Sequence, residues 1–168
     1  MEILFYDHDL AVCVKPVGLD SEAQVPAELK KTLSGEIFPV HRLDKNVGGV
    51  MVYARTKQAA AALSKAVQDG AMVKEYVAMV HGLPPESGDW EDLLWKDSRK
   101  NKVYVVKRER SHQIRVQFAS RGYPLVGDHK YGSRDERTDP MLFSCCIRFP
   151  WRGEQRRFEA MPDFGENP

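Results

Sequence analysis

Cysteine is scarce: Cys13, Cys145 and Cys146 are the three in 168 residues. The number is odd and no pair stands at metal-ligand spacing, so buried, reduced thiols are expected. No apolar run approaches the roughly 20 residues of a membrane span. The start also lacks the basic segment and long apolar stretch of a signal peptide. A soluble, cytoplasmic chain without membrane attachment is the expectation. Phosphate-loop and dinucleotide fingerprints are absent, as are serine or cysteine nucleophile motifs, internal repeats and low-complexity segments. Excess charge is lacking too: 25 Lys and Arg stand against 24 Asp and Glu, a net charge of +1. That excludes a generally basic, nucleic-acid-coating protein. It leaves room for a local basic groove, because phosphates respond to how charge is distributed.

What is present is an ordinary globular composition, 42% hydrophobic and 29% charged, in a length that suits a single domain with a real core. Ile3–Tyr6 and Leu10–Val14, joined by Asp7-His8-Asp9, read as a hairpin closed by Lys15-Pro16. A short helix is expected at Pro26–Leu33, stopped by Ser34-Gly35. Val50–Ala54 reads as a strand, after a turn that loosens at Gly48-Gly49. Thr56 can cap a helix over Lys57–Asp69, with Ala59, Ala62, Leu63, Ala66 and Val67 at helical spacing as its packing stripe. In Met72–Gly82 the alternation sets Lys74 and Tyr76 on one strand face. Trp90–Trp95 reads as a flap over the core. Val103–Val106 is a further strand, and Ser111 to Gly122 is a helix, with strand alternation through Ile114, Val116 and Phe118 as the competing reading. Leu142–Phe149 and Gln155–Ala160 form a closing hairpin around Trp151-Arg152-Gly153.

Two blocks concentrate reactive side chains. His41–Thr56, HRLDKNVGGVMVYART, sets the acid Asp44 two residues after Arg42 and ahead of two glycines, which permit close backbone approach. From Ser98 to Arg115 the chain turns basic. Arg99, Lys100, Lys102, Lys107, Arg108, Arg110 and Arg115 stand against the single acid Glu109, a pattern that fits an RNA backbone contact.

These blocks resemble the RluA-type RNA pseudouridine synthases. HRLD matches the family's catalytic motif, with Asn46-Val47-Gly48-Gly49 where the family has Thr-Ser-Gly. Val12–Leu19 is similar to its NKPxGL element, Lys74-x-Tyr76-x-Ala78 to KxYxA, Ser111–Gly132 to HQIR followed by GDxxYG, and Phe149-Pro150 with Phe158–Pro162 to its closing hairpin. The resemblance implies an α+β fold, a mixed and mostly antiparallel central sheet with flanking helices. The implied activity is isomerisation of uridine to pseudouridine in structured ribosomal or transfer RNA, without a cofactor.

By the same resemblance Asp44 is the nucleophile, Tyr76 lies against the target base and Arg115 pairs with Asp44. Arg42 is the candidate to fill the space left by a flipped base. Lys74, Lys100, Lys102, Lys107, Arg110, His112 and Gln113 join it as RNA-binding residues. A single catalytic domain is expected, monomeric, with no separate N-terminal RNA-binding domain. One departure stands out. Lys107-Arg108-Glu109-Arg110 runs almost directly into Ser111-His112, so at least one of the two central strands expected before HQIR is taken to be missing. That shortening supports a rival, a catalytically impaired RNA-binding homologue. A weaker third reading is an RNA hydrolase using Asp44 and His112.

Overall fold

The computed structural model describes residues 1–90, 94–97, 102–105 and 113–165. In chain order its strands are β1 (Glu2–Tyr6), β2 (Leu10–Lys15), β3 (Phe38–Pro39), β4 (Gly48–Ala54), β5 (Val73–Ala78), β6 (Leu94–Asp97), β7 (Lys102–Val105), β8 (Leu142–Trp151) and β9 (Glu154–Glu159). The helices are α1 (Gln24–Thr32), α2 (Lys57–Gln68) and α3 (Gln113–Ser120). The chain divides into two compact units, Met1–Val77 with Phe143–Pro168 and Ala78–Leu142.

The first unit is built on a seven-stranded sheet in the order β1-β2-β4-β8-β5, with β3 on β4 and β9 on β8. Asp7 makes its first turn: Oδ1 accepts the N–H groups of Asp9 and Leu10, at 2.8 and 2.7 Å. The β1/β2, β2/β4, β3/β4 and β8/β9 pairs are antiparallel, whereas β4 and β8 run parallel. Every residue of β4 is buried, which is why this strand reads as a nearly unbroken apolar run rather than an alternating one. Leu10, Val12, Val50, Val52, Ile147 and Phe149 form one cluster with Ala59 and Leu63 of α2. That helix starts where expected, with the Thr56 hydroxyl accepting the Ala59 N–H. Its buried stripe is Ala59, Leu63 and Ala66. Ala62, expected on that stripe, is exposed and Ala60 packs in its place, because the core-facing arc lies further round the helix.

Three local expectations need correction. Gly48 and Gly49 are not a bend but the first residues of β4, paired with Phe143 and Ser144 of β8. Gly49 has φ +133°, and a Cβ there would lie 2.4 Å from the Ser144 backbone nitrogen, so the glycine admits the parallel neighbour. β8 does not stop before Pro150 but runs through it to Trp151, which pairs with Glu154. Pro150 sits one pair from the hairpin end, where a missing donor disturbs the ladder least. The turn is then Arg152-Gly153 alone, both with positive φ (51° and 83°), the two-residue form that matches strand twist.

In the second unit β6 and β7 pair antiparallel, from Leu94↔Val105 to Asp97↔Lys102. Two short strands thus lie between the KxYxA and HQIR segments, in a sheet of their own rather than in the seven-stranded one. The segment after Ser111 is helical from Gln113, not extended. Its buried residues are Arg115, Val116 and Gln117 rather than Ile114, Phe118 and Ala119, since this helix buries its polar functional side chains. Trp90 packs edge-on against Phe118 at 4.7 Å, beneath the Arg121 guanidinium, and its carbonyl accepts from Gln117. Among the described residues no helix is long and apolar enough to cross a membrane.

Candidate active site

The turn carrying Asp44 is pinned at successive points by groups from elsewhere in the first unit. Nε2 of His41 accepts the Val52 N–H of β4 at 3.2 Å. The Ser21 hydroxyl donates to the Leu43 carbonyl (2.9 Å) and accepts the Leu43 N–H (3.3 Å). Ser21 is itself held, because the buried Tyr53 hydroxyl donates to its carbonyl at 2.8 Å. Immediately after Asp44, the Lys45 carbonyl accepts from the Gly18 N–H (2.8 Å) and from Nζ of Lys15 (3.1 Å). Asp44 closes the turn with its own carbonyl, which accepts the Val47 N–H at 3.0 Å. A carboxylate mounted on so constrained a backbone loses little freedom on meeting a substrate.

Lys15 is the unexpected member. Its side chain is fully buried, and its ammonium donates to the carbonyls of Pro16 (3.0 Å), Leu19 (2.8 Å) and Lys45. Three protons meet three acceptors. Burial pulls the group down to about 8, against the pull of Asp20 and Asp44 that favours its charge. A positive charge thus lies under the turn, tied to the peptide that follows the acid.

On β5, Lys74 and Tyr76 are the more buried alternation partners of exposed Val73 and Glu75, as expected. Burial first, and the Asp44 charge second, push the Tyr76 hydroxyl up to about 12, opposed by a hydrogen bond between it and Ser144. Two separate motifs, HRLD and KxYxA, therefore meet in one unit, close enough for the carboxylate charge to act on the hydroxyl. Ser144, fully buried on β8, also donates to the Val50 carbonyl at 3.3 Å. Arg42 points outward, 69% exposed, and pairs with Glu22 at 3.3 Å. Such a surface pair is worth at most about 1 kcal/mol and is easily exchanged for a substrate.

In the second unit Arg115 is buried on α3 and forks onto Asp128, with Nε to Oδ2 and Nη2 to Oδ1 both at 2.7 Å. The Tyr131 ring lies 5.3 Å from the guanidinium. Asp128 and Tyr131 are the aspartate and tyrosine of the GDxxYG segment, so that segment is the cradle of the HQIR arginine. Gly127 makes room for it: a Cβ there would lie 2.1 Å from the Asp139 carbonyl oxygen. Its N–H donates to Ser133 Oγ and Asp135 Oδ2.

Gln113 is exposed at the start of α3. Lys100, Lys107, Arg110 and His112 lie outside the described residues, and Lys102 is described only as the first residue of β7. Sequence reasoning singled out Asp44, Tyr76 and Arg115 but passed over Lys15, Ser21, Ser144 and Asp128. Only Asp128 and Lys15 had a signal, as members of the family's motifs. Among the described residues no cluster of His, Cys, Asp or Glu is arranged to hold a metal ion.

Comparison with known proteins identifies the family. A family model described as RNA pseudouridylate synthase matches residues 9–111. The dual-specificity RNA pseudouridine synthase RluA of Escherichia coli is 31% identical over 204 aligned positions, covering 96% of this chain and 93% of that one. An uncharacterized RNA pseudouridine synthase of Chloroflexus aurantiacus is 34% identical over 131 positions. There the match covers 61% of this chain but only 42% of the relative. Among solved structures, human RNA pseudouridylate synthase domain containing 1 superposes with a TM-score of 0.85 at 20% identity, over 97% of this chain and 84% of that one. At that identity the likeness speaks for the fold.

Proposed function

Since this chain belongs to the RluA-type RNA pseudouridine synthases, we propose that it isomerises a flipped-out uridine in ribosomal or transfer RNA, with Asp44 as the nucleophile. What supports this reading is the Asp44 turn, held by His41, Ser21, Gly18 and Lys15 in the same unit as Tyr76. The reaction breaks the bond from N1 of the base to ribose C1′, turns the base, and forms a bond from C5 to C1′ while C5 loses its proton. Nothing is oxidised and no group is donated, so directed charge and a fixed base carry the chemistry.

In this proposal Asp44 acts at the sugar: the uracil leaves C1′ as the C2′ proton is removed, giving a glycal, and that proton returns to C2′ as C5 bonds to C1′, while N1 takes up a proton in place of the one C5 loses. Tyr76 packs on the base and holds it during rotation. Extracting the base from a stacked strand costs a few kcal/mol. The exposed Arg42 guanidinium, planar and able to stack while hydrogen-bonding, takes the vacated place. Arg115, held in its fork by Asp128, is the arginine that the family resemblance assigns to Asp44. The rival, a catalytically impaired RNA-binding homologue, predicts RNA binding with no tritium release.

Pseudouridine mapping in RNA from cells with and without the gene tests the reading and names the uridine together. With that RNA, Asp44→Asn is expected to abolish tritium release from C5-labelled uridine while RNA affinity is retained. Appreciable release by that variant would remove Asp44 from the mechanism. If Arg115 serves Asp44, Asp44→Asn combined with Arg115→Met loses no more activity than the worse single variant.

A further inference from the structure

Two donors beside the site have nothing to donate to. His41 accepts the Val52 N–H on Nε2, so the neutral ring carries its proton on Nδ1. Nδ1 is buried without a hydrogen-bond partner. Burial, and then the charge of Lys74, hold the ring neutral by lowering it to about 3. Lys74 is the second donor. It is half-buried on β5 and makes no hydrogen bond or ion pair among the described residues. Burial alone lowers it, with no carboxylate opposing. An unmet buried donor costs free energy, and an unpaired ammonium costs more. An oxyanion that met both groups would offset both costs.

The surroundings say which part of a substrate supplies it. Asp44 acts on the Tyr76 hydroxyl. Lys74 stands two residues from Tyr76 on the same face, about 7 Å along the strand. Its ammonium is therefore beside the reacting centre, not at it. In an RNA whose uracil lies on Tyr76, the anion at that remove is the phosphodiester flanking the nucleotide. Uracil carbonyls are neutral acceptors and would leave the ammonium uncompensated.

We propose that Lys74 Nζ and the Nδ1–H of His41 form a binding site for one phosphodiester adjacent to the target uridine, an anchor that fixes the strand while the base turns. The inference deepens the isomerase reading and takes the position of the base from it. The test uses the full chain and an RNA hairpin with a single loop uridine, in filter binding across a salt series. Lys74→Met is expected to weaken binding and to lower the log–log salt slope by about 0.7–0.9, the value for one neutralised phosphate. It should melt no lower than the unaltered protein, since it removes an unpaired ammonium, and Lys74→Arg should keep the original slope.

The same hairpin carrying one neutral methylphosphonate linkage, 5′ or 3′ of the uridine, locates the site. One position should reproduce the weakening in the unaltered protein and add nothing in Lys74→Met. An unchanged slope, or equal methylphosphonate effects in both proteins, overturns the proposal. So does slower single-turnover tritium release at an unchanged slope, which would put Lys74 against the base. If the binding signature holds but no cellular RNA releases tritium, the isomerase reading fails and the phosphate site stands.

Discussion

A fully buried ammonium next to the peptide that follows Asp44 makes the geometry of the turn depend on a proton. Neutral Lys15 has two N–H groups for three carbonyls, and it no longer adds positive charge near the acid. kcat for tritium release is therefore expected to fall above about pH 8, and Lys15→Met should be slow throughout and lack that limb. Stability moves the other way. The folded group is lowered from 10.5 to about 8, so between those values the unfolded chain binds more protons and this residue's contribution to stability rises with pH. Activity that falls while the melting temperature holds would separate the two. His41 is lowered from 6.5 to about 3. Its contribution is full above pH 6.5 and is lost as pH falls through that window, because only the unfolded ring takes up the proton. Nitrogen NMR of the ring at pH 5 should show neutral imidazole with the proton on Nδ1. Asp44 and Tyr76 were legible because each stands in a recognisable run. Lys15 acts through carbonyls of Pro16, Leu19 and Lys45, and no side-chain pattern announces a carbonyl.

The elements that could be read correctly carry their own signals. The first hairpin has Asp7 in its turn, and α2 has Thr56 as its cap and a stripe that needs only helical spacing. Gly48-Gly49 shows the opposite case. Two glycines after a charged turn read locally as a bend, and what makes them strand residues is Ser144, far along the chain. Gly49→Ala is expected to destabilise the first unit by about 2–5 kcal/mol, combining overpacking against Ser144 with an unfavourable positive φ. Urea unfolding measures it, and a midpoint near that of the unaltered protein would show that β8 can retreat from β4. Pro150 misled for a related reason. Taken alone it ends a strand, but beside the Arg152-Gly153 turn it keeps its place opposite Gln155. Helix α3 was legible in type but not in face, since spacing alone favours burying Ile114 and Phe118, whereas the Asp128 fork draws Arg115 inward.

For the molecule as a whole, a net charge of +1 gives little general attraction for RNA, so affinity must come from where the cations are. Neutralising Lys100, Lys102 and Lys107 together is expected to weaken binding uniformly across RNA sequences. The log–log salt slope should fall by about 0.7–0.9 for each phosphate that those lysines neutralise. A slope unchanged in filter binding would assign those lysines to solvent. The parallel pairing of β4 with β8 also sets a timetable. Ser144 follows Gly49 by 95 positions, which at 5–20 residues per second is about 5–20 seconds of translation. For that interval β4 lacks the partner of its Gly48-Gly49 end, while β2 and β3 already flank it and the second unit is still emerging from the ribosome. The strand that will stand beside the Asp44 turn thus spends that time with the edge at its Gly48-Gly49 end open to whatever meets it first.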